Sequence, residues 1–541
     1  MANQRAGFEQ HARTVTAFTV LSRIGGLARD ATMSRVFGIG PIMDAFAFGF
    51  MVPNLFRRLF GEGALSASFL PVFVRELEKD PATAHHLARL LIGRAMLVLS
   101  VLVVVLEGIL LAGFFQGDLE VGIWLLAIML PYAPLICLVA LIGAMLHAYG
   151  RFGPTAAAPI ILNGMLVCST LILVPAVTAG ALTTEGQIMW VALSVLVAGV
   201  VQVVWSHMAL RRATRAEGSA DLPRARRLNR EILMKALPMA LGLGALQLNT
   251  FIDGLIASWP TIVGPTIPFL GIDYPLPEGS MASISWAQRL YEFPLGVFGI
   301  AIATAIFPQL SRQHGAAAEF SETLRRGIRL TLFVGIPASI GLLLVRGPLT
   351  AVILQGAAFT VDDTQRTAFI LMGYAPAIWA YSLNQVFIRA FYARGEAMTP
   401  VKVAIGMAVL NLVLNLTLIW TPLGVAGLAW STAICAVLQT FILHALLERR
   451  LPGILDHTVL PAILRILCVG MFTAIVTLIA SWLMDPRGDS ARWSYQLLSL
   501  VVLVGCGGAT AFICARMLRM PELFWLLGRR SGADHTQSGT T

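Results

Sequence analysis

The sequence predicts an all-α polytopic membrane protein of about fourteen transmembrane helices, two six-helix lobes in parallel pseudo-repeat plus two C-terminal helices. Three observations predict it. The 541 residues are 57% hydrophobic and 13% charged, with a mean hydropathy of +0.77, whereas a soluble chain carries about 25% charged residues. Basic and acidic residues alternate between successive apolar stretches. Short motifs recur at offsets of 241 to 243 residues.

Apolar stretches long enough to cross a bilayer fall at about 14–38, 42–73, 90–115, 121–148, 155–177 and 187–210. Beyond a basic linker they continue at about 232–259, 281–310, 325–346, 366–392, 400–420, 424–447, 459–484 and 494–518. Spans one, two and eight carry charges and are the weakest by hydropathy. The implied organisation is a first lobe over 1–210 and a basic linker over 211–231. A second lobe over 232–450, a pair of helices over 451–527 and a disordered tail over 528–541 follow.

Loop charges orient the spans. Arg75, Lys79 and Arg89 follow span two, Arg151 follows span four, and seven arginines from Arg211 to Arg230 follow span six. Arg312, Arg325, Arg326, Arg394, Arg449 and Arg450 continue the pattern, and the other loops carry mainly Asp118, Glu120, Glu185, Asp273, Glu278, Asp362 and Asp363. Positive charge stays on the cytoplasmic side, so both termini are expected there. The net charge of +10 follows from this topology, and no zinc-finger spacing or aromatic–basic pattern points to nucleic acid. Residues 1–13 lack an apolar core followed by a cleavage site, so no removable signal peptide is expected. All six cysteines lie in apolar runs without a paired spacing, as small buried hydrophobes do.

Tyr132-Ala133-Pro134 recurs as Tyr374-Ala375-Pro376, Tyr149-Gly150-Arg151 as Tyr392-Ala393-Arg394, and Pro53 as Pro294. Agreement among three offsets is the basis for the two lobes. The linker's basic residues are suited either to anionic headgroups or to plain solvation.

Pro53-Asn54-Leu55-Phe56-Arg57-Arg58-Leu59-Phe60-Gly61-Glu62-Gly63 places two arginines and a glutamate inside an apolar run. Charge at bilayer depth costs several kcal/mol and is retained where it faces a bundle interior or watery cavity. Pro53 and the glycines loosen the helix there, and broken helices are tolerated at cavities. Arg58 and Glu62 are spaced to pair along one face. Ser22, Arg23, Arg29 and Asp30 interrupt span one, with Arg23 and Asp30 on one face and Arg29 sharing another with Ser22. Asp44 opens span two, and Arg289 and Glu292 lie in span eight. Each arginine alone is open to snorkelling. Gathered in three spans, they suit an anionic substrate, phosphate or carboxylate. Asp253, Asn411, Asn415 and the pair Ser431-Thr432 form a second polar set. It reads either as a site for a small hard cation or as interhelical hydrogen bonding.

Ser22-Arg23-Ile24-Gly25-Gly26-Leu27-Ala28-Arg29-Asp30, Asp44-Ala45-Phe46, the Pro53–Ala64 stretch, Glu292-Phe293-Pro294-Leu295-Gly296-Val297 and Thr399-Pro400-Val401-Lys402 together resemble the MurJ/MviN lipid II flippases. These belong to the multidrug/oligosaccharidyl-lipid/polysaccharide exporter superfamily. The resemblance covers essentially the whole chain. It implies a transporter, not an enzyme, in the bacterial cytoplasmic membrane. Its substrate would be lipid II, the undecaprenyl-pyrophosphate-linked disaccharide-pentapeptide, and its other partners membrane lipids and other cell-wall synthesis proteins. The last two spans would form the lipid-tail groove. Carried over by motif, Arg23, Arg29, Arg57 and Arg289 bind the pyrophosphate, Asp44 and Glu62 pair with them when the cavity is empty, and Asn54 bonds the headgroup or caps the broken helix. Ser22, Asp30, Arg58 and Glu292 are further candidates. The resemblance also implies a sodium site at Asp253, Asn411, Asn415 and Thr432, with resetting by membrane potential or by a cation gradient such as Na+, and no other cofactor.

One position departs from the family pattern. An aspartate often precedes the arginine of span eight, and here it is Gln288, so Asp253 is expected to restore negative charge nearby. A flippase for another lipid-linked glycan is the nearest alternative. A membrane glycosyltransferase acting on the same lipid would need catalytic acids in a sizeable outer loop, and the largest outer loop, about 260–280, holds only Asp273 and Glu278.

Overall fold

A computed structural model describes residues 2–61, 64–114, 121–214, 219–268, 270–313, 315–456, 459–484 and 492–526. The chain divides into two compact units, Met1–Ala282 with Gly356–Phe359, and Ser283–Gln355 with Thr360–Thr541.

The first unit holds α1 (Ala2–Phe37), α2 (Pro41–Phe56), α3 (Ala64–Lys79), α4 (Pro81–Phe114), α5 (Val121–Met129), α6 (Tyr132–Ala148), α7 (Gly153–Thr178), α8 (Thr184–Arg211) and α9 (Leu222–Ile262). A two-stranded antiparallel hairpin, β1 (Thr266–Ile267) and β2 (Ile272–Asp273), occupies the loop after α9. Helix α10 (Ser280–Pro294) starts in this unit and runs into the next. The second unit continues with α11 (Ile300–Arg312), α12 (Ala317–Leu354), α13 (Val361–Tyr374), α14 (Ile378–Ala393), α15 (Met398–Leu418), α16 (Ala426–Glu448), α17 (Val459–Leu483), α18 (Trp493–Met517) and the short α19 (Pro521–Leu526).

Among the described residues, nine segments are long and apolar enough to span a membrane: α4, α5–α6, α7, α8, α12, α15, α16, α17 and α18. The other expected spans coincide with α1 and α9, which carry charges, and with α2–α3, α10–α11 and α13–α14, which are interrupted. Large apolar side chains such as Val98, Val101 and Val105 on α4, and Leu498, Val501 and Val504 on α18, are exposed. On a multi-pass membrane protein such surface is solvated by lipid.

Each repeated motif marks a local break or stop. Pro53 lies shortly before a π-helical turn at Arg57–Gly61, and Pro294 immediately before another at Leu295–Gly299. Proline weakens the turn that precedes it, by a missing N–H and a ring clash, and in both repeats the π turn follows that weakened turn. Tyr132 follows a turn that separates α5 from α6, and Tyr374 precedes a 3-10 turn at Ala375–Ala377 between α13 and α14. The ring of Tyr132 stacks on Phe50 at 6.5 Å, and that of Tyr374 on Tyr291 at 4.5 Å. Phe50 and Tyr291 are themselves 241 residues apart, the offset of the two prolines. The third motif ends a helix. Arg151 N–H donates to Leu146 O at 2.8 Å past left-handed Gly150, and Glu396 N–H to Phe391 O at 2.9 Å past left-handed Gly395.

Within the first unit α1 packs along α7, α7 along α8, and α9 against α2, α3 and α4. Helix α9 begins inside the expected linker. Asp221 caps it by accepting from Arg224 N–H at 3.0 Å, and its own N–H donates to Thr83 Oγ1 at 2.8 Å. Asp80 accepts from the Thr83 hydroxyl and from the Thr83 and Ala82 amides. These bonds, the Thr83 hydroxyl first, hold its carboxyl below the usual carboxylate range. Arg224 reaches the buried Glu76 at 3.0 Å, so this linker arginine serves an ion pair, whereas Arg226, Arg227 and Arg230 are exposed. The described part of the linker is therefore tied to α3 and α4.

In the second unit α12 contacts α13, α14, α17 and α18. Glu522 of α19 meets Arg329 at 2.6 Å, and Arg326 and Arg329 lie over the Trp525 ring. All six cysteines are free; Cys137 and Cys435 are buried, whereas Cys168 and Cys468, expected to be buried, are exposed on the outer face of their helices.

Gly38, after α1, has φ +63°, and a Cβ there would lie 2.4 Å from the backbone oxygen of Ala358, whose amide donates to Arg35 O at 2.9 Å. Backbone cannot swing aside as a side chain can. Gly38→Ala is expected to destabilise the protein by about 1–2 kcal/mol, read as a lowered thermal midpoint in detergent. An unchanged midpoint would show that this contact is dispensable.

Candidate functional site

Some candidate residues lie at or near helix breaks and others within unbroken helices. In the first unit, Arg57 opens the π turn that follows α2 and is half-buried. Its Nε donates to Asn54 Oδ1 at 3.3 Å, while Asn54 Nδ2 donates to Phe50 O at 3.2 Å. Asn54 thus braces the broken helix and orients the guanidinium one turn on. Arg58 is exposed, and its Nη1 donates to Gln247 Oε1 on α9 at 3.3 Å. The expected partner Glu62 lies outside the described residues.

On α1, Arg29 and Asp30 form a tight pair. Arg29 Nη2 and Nε donate to Asp30 Oδ1 at 2.7 and 3.0 Å, with both side chains 12% exposed. Arg29 Nη1 also donates to Asn163 Oδ1 at 3.1 Å, and Asn163 Nδ2 donates to Ser22 O at 3.2 Å. Asn163 on α7 therefore joins Ser22 to Arg29, the two positions expected on a shared face. Arg23 is exposed on the same helix. The sequence offered one signal for Asn163, a lone amide in the apolar run Ile160–Leu166.

Asp44 meets donors that the sequence did not announce. It is fully buried, and its Oδ2 accepts from Thr261 Oγ1 at 3.0 Å and Gly279 N–H at 2.6 Å, while Oδ1 accepts from Ala282 N–H at 2.7 Å. Two of these donors are backbone amides at the start of α10, where the helix dipole favours an anion. The physical reason is geometric. A carboxylate early in α2 meets unsatisfied N–H groups that carry no sequence signature.

In the second unit, Arg289 Nη1 donates to Glu292 Oε2 at 3.3 Å, with side chains 48% and 44% exposed. They precede Pro294 and the second π turn. Gln288 Nε2 donates to the hydroxyl of the fully buried Tyr374 at 3.1 Å. A neutral amide at this position is thereby accounted for by a neutral partner.

The second polar set is split between the units. Asp253 is buried on α9 in the first. In the second, Asn411 Nδ2 donates to Ser431 Oγ and Thr432 Oγ1 at 3.3 Å each, and Asn415 Nδ2 donates to Asn411 Oδ1 at 2.9 Å. Ser431 Oγ donates in turn to Asn415 Oδ1. This network joins α15 to α16. No group of three or more His, Cys, Asp or Glu suited to a metal ion occurs among the described residues.

The fold and much of the sequence have known counterparts. A family model described as "Lipid II flippase MurJ" matches residues 33–495. A "Probable lipid II flippase MurJ" of Vibrio cholerae is 32% identical, over 92% of this chain and 93% of its own length. A "Lipid II flippase MurJ" of Burkholderia cenocepacia is 29% identical, over 81% and 83% respectively. A solved structure, "Lipid II flippase MurJ, inward closed conformation", superposes with a TM-score of 0.73 at 22% identity, covering 93% of this chain and 99% of that chain. An inward-facing MATE family transporter of the MOP superfamily follows at 0.60 and 14%, over 82% and 99%. These two superpositions share the fold. With a family model matching most of the chain and a relative above 30% identity along nearly its full length, this chain belongs to the lipid II flippase MurJ family.

Proposed function

We propose that this protein flips lipid II from the inner to the outer leaflet of the bacterial cytoplasmic membrane by alternating access. It is a transporter of peptidoglycan biosynthesis. The observation that carries the residue-level reading is Arg57, which opens the first proline-marked π turn, with Arg289 on the helix that leads into the second. A π turn releases backbone groups and opens the helix, and such irregularity at membrane depth is sustained beside a cavity. Guanidinium groups there match a pyrophosphate bidentately. Glu292 lies 3.3 Å from Arg289, so an anion bound at this guanidinium competes with a carboxylate of lower charge. A ligand held more strongly in one state than the other shifts the equilibrium between them.

Both termini face the cytoplasm in this reading, supported by the alternation of loop charge. Na+ as coupling ion is supported by donor chemistry. Asn411, Asn415 and Thr432 of the second unit offer oxygen ligands of the kind a hard cation takes, within one network.

Depletion in the native host, with outer-leaflet lipid II read by an externally added degrading enzyme, tests the proposal. Depleted cells should retain lipid II inside. Arg57→Ala, although made and inserted, should restore transport at least about tenfold more slowly than wild type, the kinetic equivalent of losing one charge-assisted bond. Normal externally accessible lipid II after depletion would overturn it.

A further inference from the structure

The loop between α9 and α10 carries an apolar surface that the flippase reading leaves unused. Val263 leads into the hairpin, Leu270 lies in its turn and Ile272 on β2, and they are 45%, 67% and 48% exposed. In the ladder Thr266 pairs with Asp273 and Ile267 with Ile272. Directly paired residues share a face of a two-stranded ribbon, and neighbours along a strand point to opposite faces. One face of this ribbon is therefore polar, with Thr266 and Asp273, and the other apolar, with Ile267 and Ile272.

The loop is held at both ends. At the base of the hairpin the Tyr274 ring stacks on Trp259 of α9 at 5.5 Å, and the Tyr274 hydroxyl donates to Ile256 O at 2.9 Å. Further on, the amide of Gly279 donates to Asp44. Backbone donors are taken up inside the loop. Tyr274 N–H donates to Pro265 O at 2.8 Å, and Leu270 and Gly271 N–H donate to Ile267 O at 3.3 and 3.2 Å. Pro265, Pro268, Pro275 and Pro277 have no N–H to offer.

We propose that this hairpin is a membrane-interface anchor, its apolar face seated among lipid acyl chains at the end of α9 and its polar face turned to water. Three observations choose lipid over a protein partner. The loop leaves α9 at Ile262 and enters α10 at Ser280, the ends of two expected spans, where hydrocarbon gives way to headgroups. Trp259 and Tyr274 at its base are of the residue types that favour that boundary. Satisfied N–H groups lower the cost of leaving water, whereas an edge that recruits another strand presents a row of open donors, and each strand here has only two residues. No Lys or Arg occurs between Asp253 and Gln288, so the insertion is apolar and needs no anionic lipid.

Leu270→Cys carrying an environment-sensitive fluorophore tests this, in nanodiscs of phosphatidylcholine with plain or brominated acyl chains. Asp273→Cys is the polar-face control, and wild type carried through the same labelling supplies the background from the native thiols. Brominated chains should quench the label at Leu270 at least about twofold and the label at Asp273 less than about 1.2-fold, since an interfacial segment sinks only its apolar face past the headgroups. Emission at Leu270 should also lie to the blue of that at Asp273. Equal quenching at the two positions would overturn the proposal. So would a Leu270 label that emits as in water, which leaves the surface to a protein partner, or a blue-shifted label that bromine does not quench, which places the side chain against protein. If Leu270→Cys does not insert, Ile272→Cys is judged by the same comparison. The nanodiscs contain no lipid II, so the outcome is independent of transport.

Discussion

Asp44→Ala should lower the thermal unfolding midpoint of the purified protein sharply and abolish its support of growth. The carboxylate is fully buried and accepts hydrogen bonds from the Thr261 hydroxyl and the Gly279 and Ala282 amides. Alanine removes the acceptor and leaves those donors buried, at about 1–3 kcal/mol each before relaxation. The start of α10 also loses the anion that answers its dipole. Since these costs are not additive, we expect a destabilisation on the order of 3 kcal/mol. Asp44→Asn keeps the shape but turns one oxygen into a donor, so a smaller loss is expected. Fluorescence-monitored melting in detergent measures both. A midpoint within a degree or two of wild type for Asp44→Ala would show that these bonds do not hold α10, returning Asp44 to the role of an acid acting on the arginines.

Arg29→Ala should destabilise the first unit, and a second substitution separates the cause. Arg29 and Asp30 form a largely buried pair, and removing one member of such a pair costs about 3–5 kcal/mol because the other charge stays behind. The double variant Arg29→Ala, Asp30→Asn removes both charges and should recover most of the stability. It should not recover transport if Arg29 also contacts the pyrophosphate. Melting curves and externally accessible lipid II, measured on the same two variants, give the two answers separately. Recovery of both would make Arg29 a structural residue only. Asn163 predicts a companion effect, since its amide holds Arg29 and the Ser22 carbonyl together.

Much of the architecture was legible without coordinates. Lipid is a uniform apolar solvent, so a span must announce itself as a long apolar run. The proline pair and the two tyrosine motifs marked real breaks and helix ends, because backbone irregularity has local causes. The arginines stood out because a charge in an apolar run is costly and rare.

The partners of those charges were not legible. Asn163 lies 134 residues from Arg29, Gln247 189 from Arg58, and Thr261 217 from Asp44. A hydrogen-bond partner is chosen by where helices cross, and no short-range pattern encodes a crossing. The amides of Gly279 and Ala282 are harder still, since every residue but proline has one. Helix α9 shows the same limit at larger scale. Its contacts with α2, α3 and α4 leave no trace in its own hydropathy pattern. Hydropathy and charge act through the solvent around each segment, so the amino-acid order carries them alone. Which helices touch, and which donor meets which acceptor, follows from side-chain shape across long separations and exists only once the chain is packed.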